Sequence, residues 1–90
     1  MATQNITLGS DYTLIASDSQ NFFLSVPRIG DIVEVATSDT EVIPTENGHE
    51  LTTRDLRFLD RTRLGSGFVY ARSKSGVPVN IRVDTWAVSG

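Results

Sequence analysis

The residues that could perform chemistry are few, and their spacing does not assemble a reaction centre. His49 is the only histidine, and the chain has no cysteine. A Ser–His–Asp triad often comes with a nucleophile motif such as G-x-S-x-G, which this sequence lacks. Zinc needs three or four His, Cys or carboxylate ligands, and a single imidazole does not supply them. We therefore predict an exposed turn histidine, no catalytic residues and no enzymatic activity.

The acidic and glycine-rich segments do not predict a metal or cofactor site either. Asp39-Thr40-Glu41 could offer oxygen ligands to calcium, but no D-x-D-x-D-G run accompanies it. Gly65-Ser66-Gly67 lacks the Gly-Lys-Ser/Thr that ends a phosphate-binding loop. We interpret both as solvated loop segments, and we expect no metal ion and no cofactor.

Charge is distributed unevenly along the chain. Residues 1–50 contain eight acids and one base, a net charge of −7, whereas residues 51–90 contain seven bases and three acids, a net charge of +4. Four of the eight bases form a cluster within ten positions, namely Arg54, Arg57, Arg61 and Arg63. Arginine forms forked hydrogen bonds to carboxylates and phosphates. This arginine cluster is therefore a candidate binding segment.

Three interpretations of the charge pattern remain open. The two halves could neutralise each other within one fold, or the arginine cluster could contact acidic surface on a neighbouring protein. The third interpretation is nucleic-acid binding, which the pI of about 4.9 disfavours, because counterion release needs a basic face.

Two adjacent phenylalanines predict a second surface. Successive strand residues point to opposite faces of a sheet, so either Phe22 or Phe23 must leave the main core face. The ring that leaves either covers a second layer or contacts a partner. The candidate protein interface therefore consists of Phe23, Arg54, Arg57, Arg61 and Arg63.

The elements that must position these residues are strands, because apolar and polar residues alternate. The clearest alternating run consists of Val77, Val79, Ile81 and Val83. After this run, which occupies odd positions, the next large apolar residue is at the even position of Trp86. This shift predicts either a bulge near Thr85 or that Trp86 lies on the opposite face of the strand. Segment 68–73 precedes the run across a Lys74-Ser75-Gly76 turn, so we predict a hairpin of 68–73 against 78–84.

Turn signals every eight to twelve residues separate further short strands. Alternating runs begin near Ile6, Tyr12, Phe22 and Ile32, and Val42-Ile43 forms a stub before Pro44. The stretch from Leu51 to Leu64 fits either a short helix or extended structure. We favour extended structure there, with one helical turn as an option.

These signals predict an all-β fold, a small antiparallel β-sandwich of six to eight short strands with jelly-roll or immunoglobulin-like topology. Ninety residues allow one domain, 1–90, and residues 1–5 are polar enough to form a loose N-terminal arm. The predicted core consists of Leu14, Phe22, Leu24, Val33, Val35, Phe68, Tyr70, Val79, Ile81 and Val83. No apolar run is long enough to span a bilayer, and we expect no signal peptide, because residues 1–5 have neither a basic nor an apolar region.

The segment from Gly65 to Trp86 reads GSGFVYARSKSGVPVNIRVDTW. Its G-x-G loop, aromatic strand, Gly turn and alternating Val/Ile strand resemble the closing hairpin of small virion proteins of tailed bacteriophages. Pro44, Asn47-Gly48 and Leu51 are similar to the mid-chain turn of such proteins. The resemblance implies a β-sandwich that binds a capsid or tail surface, and it implies no catalytic residues.

We therefore expect a structural virion protein, either a head decoration (cement) protein or a tail accessory subunit, made in the host cytoplasm. Its expected partners are the major capsid protein or another virion protein, together with further copies of itself in a trimer; we expect no membrane partner. One alternative is a tail-fibre or adhesin-like carbohydrate-binding module, which a single Trp disfavours. The other is a small nucleic-acid-binding barrel, which rests on the arginine cluster alone.

The double substitution Arg57→Glu with Arg61→Glu separates the three interpretations of the charge pattern. If the arginine cluster is an interface, the variant stays folded but loses assembly or particle attachment, because attraction to carboxylates becomes repulsion. Internal neutralisation predicts a lower melting temperature with unchanged assembly. Nucleic-acid binding predicts wild-type affinity for DNA or RNA with steep salt dependence. Melting temperature, oligomer mass and particle binding test these outcomes, and unchanged assembly with unchanged attachment would contradict the interface.

Overall fold

The computed structural model describes residues 2–18, 20–26, 31–43, 49–52, 58–60 and 67–87. Within these residues the chain forms eight β-strands and no helix. The strands are β1 (Ala2–Leu8), β2 (Thr13–Ala16), β3 (Gln20–Ser25), β4 (Ile32–Ser38), β5 (His49–Thr52), β6 (Phe58–Asp60), β7 (Phe68–Ser73) and β8 (Val79–Ala87). The prediction of an all-β fold with six to eight short strands is confirmed.

The strands form two four-stranded antiparallel sheets. The order is β1-β8-β3-β6 in sheet A and β2-β7-β4-β5 in sheet B. Strand β1 pairs with β8, β2 with β7, β3 with β6 and β4 with β5. The first strand in sequence thus pairs with the last, the second with the second last, and so on inward to the middle of the chain. This nested pairing of eight strands is a jelly roll, so the jelly-roll alternative describes this chain.

One hydrophobic core lies between the two sheets and draws on both of them. Its buried residues are Leu8, Ile15, Ala16, Phe22, Leu24, Val26, Val33, Val35, Val69, Ala71, Val79, Ile81 and Val83. Fully burying one Val, Leu, Ile or Phe side chain contributes about 1.5–3 kcal/mol relative to exposure. Seven of the ten predicted core residues belong to this set, and the other three lie on β2 and β7.

The register of β2 differs from the prediction. A β-bulge shifts its pairing with β7 between Leu14 and Ala16. Ile15 and Ala16 are consequently both buried, whereas Leu14 is 38% exposed. A bulge inserts one residue into a strand and redirects the side chains that follow. The prediction that Leu14 lies in the core was therefore wrong.

Strand β7 faces the core with the opposite set of residues from the one predicted. Val69 and Ala71 belong to the core, whereas Phe68 is half-buried. Tyr70 is buried, as predicted, although it alternates with Val69 and Ala71 and does not belong to the cluster between the two sheets. Both faces of β7 are largely covered, so alternation of apolar and polar residues does not reveal which face is inward.

The predicted hairpin of 68–73 against 78–84 was wrong. Strand β7 lies in sheet B and β8 in sheet A, so the turn between them crosses from one sheet to the other. In this turn Ser73 Oγ donates a 2.6 Å hydrogen bond to the Val77 carbonyl oxygen, and Gly76 has a φ of +82°, which favours glycine. Placing the two strands in facing sheets buries the inward side chains of both against one core.

Three local predictions also differ from the structure. Residues 2–5, predicted as a loose arm, belong to β1 and pair with Arg82–Thr85. Val42 and Ile43, predicted as a strand stub, lie outside the strands and are exposed. His49, predicted in a turn, begins β5.

Extended structure between Leu51 and Leu64 is confirmed where the structure describes it. Strand β5 ends at Thr52, and β6 covers Phe58–Asp60. Strand β6 pairs with β3 in sheet A. The arginine cluster lies outside the described residues.

Gly67, just before β7, occupies a position that only glycine fits. Its φ of +112° is rarely adopted by other residues, and an added Cβ would lie 3.0 Å from the carbonyl oxygen of Ser38. The Gly67 N–H also donates a 2.9 Å hydrogen bond to Asp18 Oδ1. A side chain here would therefore strain the backbone and disturb the start of β7.

Gly67→Ala is expected to lower the free energy of unfolding by about 1–3 kcal/mol, because of the strained φ and the close backbone contact. Gly9→Ala is the matched control, since a Cβ at Gly9 would meet no atom within 4 Å. The control should change stability by less than about 0.5 kcal/mol. Denaturant unfolding measures both variants, and equal effects would contradict the explanation.

Candidate functional site

The outer face of sheet A exposes two aromatic rings. In β8 the odd-numbered residues from 79 to 83 face the core, so Asp84 and Trp86 face outward. Strand β8 pairs with β3 without a register shift, so Trp86 reaches this face by alternation and not through a bulge. Phe22 is buried, whereas Phe23 and Trp86 are each 39% exposed. The prediction that one ring of the Phe22–Phe23 pair leaves the core is confirmed.

Strand pairing brings these outward residues together. Phe23 lies directly opposite Asp84, and Asn21 lies directly opposite Trp86, so the two rings are diagonal neighbours. Opposed side chains in an antiparallel pair have Cβ atoms about 4.5–5.5 Å apart, and diagonal positions remain within reach of aromatic rings. Arg82 precedes Asp84 on the same side of β8 and is exposed. We call Asn21, Phe23, Arg82, Asp84 and Trp86 the aromatic face.

Asp84 has an unsatisfied oxygen at the centre of the aromatic face. Its Oδ1 atom is buried and has no hydrogen-bond partner among the described residues. On the flanking strands its neighbours are Thr3 of β1 and Phe23 of β3. Buried polar atoms are nearly always hydrogen-bonded. Asp84 Oδ1 is therefore an exception among the described residues, and leaving this buried oxygen without a hydrogen-bond partner costs stability.

The aromatic face offers groups that can form hydrogen bonds and apolar contacts. The Asp84 carboxylate accepts hydrogen bonds and the Arg82 guanidinium donates them, while the two rings offer apolar contact area. Acid–base or nucleophilic catalysis needs a base within hydrogen-bond reach of the group that reacts. The five residues of the aromatic face contain no nucleophile–base pair.

The outer face of sheet B is arranged differently, around an internal ion pair. Arg72 Nη2 donates hydrogen bonds to Glu34 Oε2 at 3.3 Å and Oε1 at 3.5 Å, and Glu34 is only 5% exposed. The guanidinium carbon of Arg72 also lies 4.3 Å from the centroid of the Tyr12 ring, a cation–π distance. Arg72 is thus held within the domain by a carboxylate and a ring.

Both ion pairs that the structure describes join the acidic half of the chain to the basic half. One is Arg72–Glu34; in the other, Lys74 Nζ lies 2.8 Å from Glu50 Oε1. The second pair is about half exposed, and such pairs contribute only about 0–1 kcal/mol. Internal neutralisation therefore accounts for these two bases. The interface role of Arg54, Arg57, Arg61 and Arg63 stays a prediction, since these residues are outside the described part of the chain.

A groove of about 490 Å³ opens where β4 begins and where the chain crosses from β7 to β8. Its described lining residues are Asp31, Ile32, Lys74, Ser75, Val77 and Val79. The Lys74 ammonium in this lining is already paired with Glu50. None of the described lining residues is a histidine.

The described residues contain no group of three His, Asp or Glu side chains that could hold a metal ion. In the same part of the chain, no helix has the length and apolar character needed to cross a membrane. In comparisons with known proteins, no family model, no curated protein and no solved structure matches the chain. The candidate site is therefore defined by its geometry.

Sequence reasoning identified one part of the aromatic face and missed another. Phe23 was named because two adjacent phenylalanines cannot share a face. For Trp86, the shift from odd to even apolar positions after Val83 predicts either a position on the opposite face or a bulge, and the sequence does not decide between the two. Asp84 was missed, because its buried oxygen depends on neighbours from two other strands.

Asp84→Val is expected to raise the free energy of unfolding by about 1 kcal/mol, because it removes a buried carboxylate oxygen that has no hydrogen-bond partner. Asn80→Val, on the same face of β8, is the control, since Asn80 Oδ1 accepts a 2.7 Å hydrogen bond from Thr7. That variant should be neutral or less stable. Thermal unfolding measures both, and a clear loss of stability in Asp84→Val would show that the carboxylate has a structural role.

Proposed function

We propose that this protein is a non-enzymatic structural protein of a bacteriophage particle, which attaches through its aromatic face to the capsid or to another virion protein. The observation that carries the proposal is the pair of half-exposed rings, Phe23 and Trp86, which are diagonal neighbours on the outer face of sheet A. The kind of particle is proposed from the sequence resemblance of segment 65–86 to small phage virion proteins, although β7 and β8 lie in different sheets and do not form the hairpin that the resemblance implies.

The composition of the aromatic face supports protein binding. Protein interfaces are enriched in aromatic residues and arginine, and the residues that dominate binding energy are most often Trp, Tyr and Arg. Trp86, Phe23 and Arg82 fit this composition.

The fold is compatible with this proposal without deciding it. Jelly rolls serve as viral capsid domains and as lectin domains, and one fold hosts many functions. The argument for attachment therefore rests on the aromatic face and not on the topology.

Carbohydrate binding is the second candidate, and one observation favours it. Trp86 does not stand alone, because Phe23 lies diagonal to it on an exposed sheet face. Aromatic rings beside a carboxylate, an amide and a guanidinium could stack on a sugar ring and hydrogen-bond its hydroxyls. A tail-fibre or adhesin-like module would use the same five residues for this purpose.

Phe23→Ala and Trp86→Ala test the aromatic face. We expect each to weaken attachment to purified particles of the phage by at least about tenfold, as truncating a central interface residue often costs 2 kcal/mol or more. Leu14→Ala and Ile32→Ala are matched controls, since each of these side chains is 38% exposed but lies on sheet B. A co-sedimentation assay of protein with particles measures attachment, and circular dichroism checks folding.

The outcomes separate the two functions. Loss of particle binding in the aromatic variants alone, with no competition by soluble glycans, supports attachment to a virion protein. Binding to a glycan array that the same variants abolish supports the carbohydrate alternative. Unchanged particle binding in both aromatic variants would overturn the role of the aromatic face.

A further inference from the structure

The four edge strands of the two sheets are not equally protected against pairing with another chain. The edges are β1 and β6 in sheet A and β2 and β5 in sheet B. Short length, bulges and charged residues discourage edge pairing. Strand β6 has three residues, including Asp60; β2 has four residues and a bulge; β5 has four residues, including Glu50.

Strand β1 carries none of these protections. It has seven residues, Ala2–Leu8, and pairs with β8 over its whole length without a register shift. It contains no proline and no charged side chain, and the first charged side chain of the sequence is Asp11. No described strand pairs with its other side. Along that side, alternate residues direct their backbone N–H and C=O groups outward.

We propose that β1 is a dimer interface, which pairs antiparallel with β1 of a second copy of this chain about a two-fold axis at Asn5. This proposal goes beyond the aromatic face and does not depend on whether the partner particle is viral. The two sheets A would then join into one eight-stranded sheet.

The sequence of β1 is complementary to itself in this register. Asn5 would face the partner's Asn5, and Thr3 would face the partner's Thr7, so the outer face would present polar pairs of the kind that hydrogen-bond across strands. Because β1 is uncharged, no like charges would be opposed. A different protein strand could also satisfy the backbone groups, but an uncharged strand offers such a partner no electrostatic selectivity.

The β1 side chains that face the core also favour a second copy of this chain as the partner. Ile6 is only partly buried and packs against the core, and it lies at the free edge of sheet A. In the register centred on Asn5, the partner's Gln4 would lie opposite Ile6, and the partner's Ile6 would lie diagonal to it. Pairing would therefore cover Ile6, an apolar β1 side chain that is only partly buried within the described part of the domain.

Complementary charges at Asn5 test the two-fold register directly. Wild type should dimerise reversibly, with an affinity below that of a standard interface, because a single strand pair buries less area. Asn5→Lys and Asn5→Asp should each raise this constant at least about tenfold, since each places like charges opposite one another. A 1:1 mixture of the two variants should form a heterodimer again. Light scattering over a concentration series measures all four samples.

Thr40→Lys and Thr40→Asp are the matched controls. Thr40 is exposed in the loop after β4, so these variants add the same charges away from β1. These variants should dimerise like wild type, within about twofold. Arg82 lies opposite Asn5 within the chain, so it would attract or repel the charge introduced at position 5. The melting temperatures of the Asn5 variants measure this effect on the stability of the monomer.

Cross-linking gives a second measurement that does not depend on charge. The chain has no cysteine, so Asn5→Cys can be linked only to another copy, and a short bis-maleimide should yield a covalent dimer. Thr40→Cys, in the exposed loop after β4, should yield much less. A wild-type monomer at about 1 mM, a trimer mass, failure of the charge mixture to restore pairing, or equal cross-linking of the two cysteine variants would overturn the proposal.

Discussion

The structure depends on one constraint, which is that two sheets from a short chain must bury their inward side chains in a single shared core. Ninety residues leave little apolar area to spare, so the inward positions of β3, β4 and β8 are occupied by Phe, Leu, Ile and Val. Once these positions face inward, strand geometry forces the intervening residues outward. The aromatic face is a direct consequence, because Trp86 and Asp84 follow from the inward placement of Val83.

The fold class could be predicted from the sequence, whereas the pairing of strands could not. Alternation is clean in β8, so its inward residues and the outward position of Trp86 could be derived. It fails in β2, where a bulge places Ile15 and Ala16 both inward, and in β7, where Tyr70 is buried on the outer face. The hairpin of β7 with β8 was a local interpretation of a turn, but a jelly roll pairs strands that are distant in sequence, and a turn signal does not encode which sheet the next strand joins.

The candidate site was predictable to the extent that it depends on strand alternation. Phe23 follows from a two-residue pattern, and Trp86 follows from a shift of the pattern by one position. The unsatisfied oxygen of Asp84 depends on three adjacent strands, β1, β8 and β3, and no single segment contains that information. The ion pairs Arg72–Glu34 and Lys74–Glu50 join the acidic half of the chain to its basic half. Part of the uneven charge is therefore neutralised within the domain.

The two outer faces of the sandwich are used in different ways, and this difference gives the proposals a common geometry. On sheet B, Glu34, Arg72 and Tyr12 satisfy one another within the domain. Sheet A carries both the aromatic face and the unprotected edge β1, which is adjacent to β8. If two copies joined through β1, their β8 strands would be three strand spacings apart, about 14 Å at 4.7–4.9 Å per spacing. Two aromatic faces would then lie side by side on one sheet, so attachment of the first would raise the effective concentration of the second. Weak contacts of half-exposed rings would in that arrangement give firm attachment to a surface that repeats the same binding site.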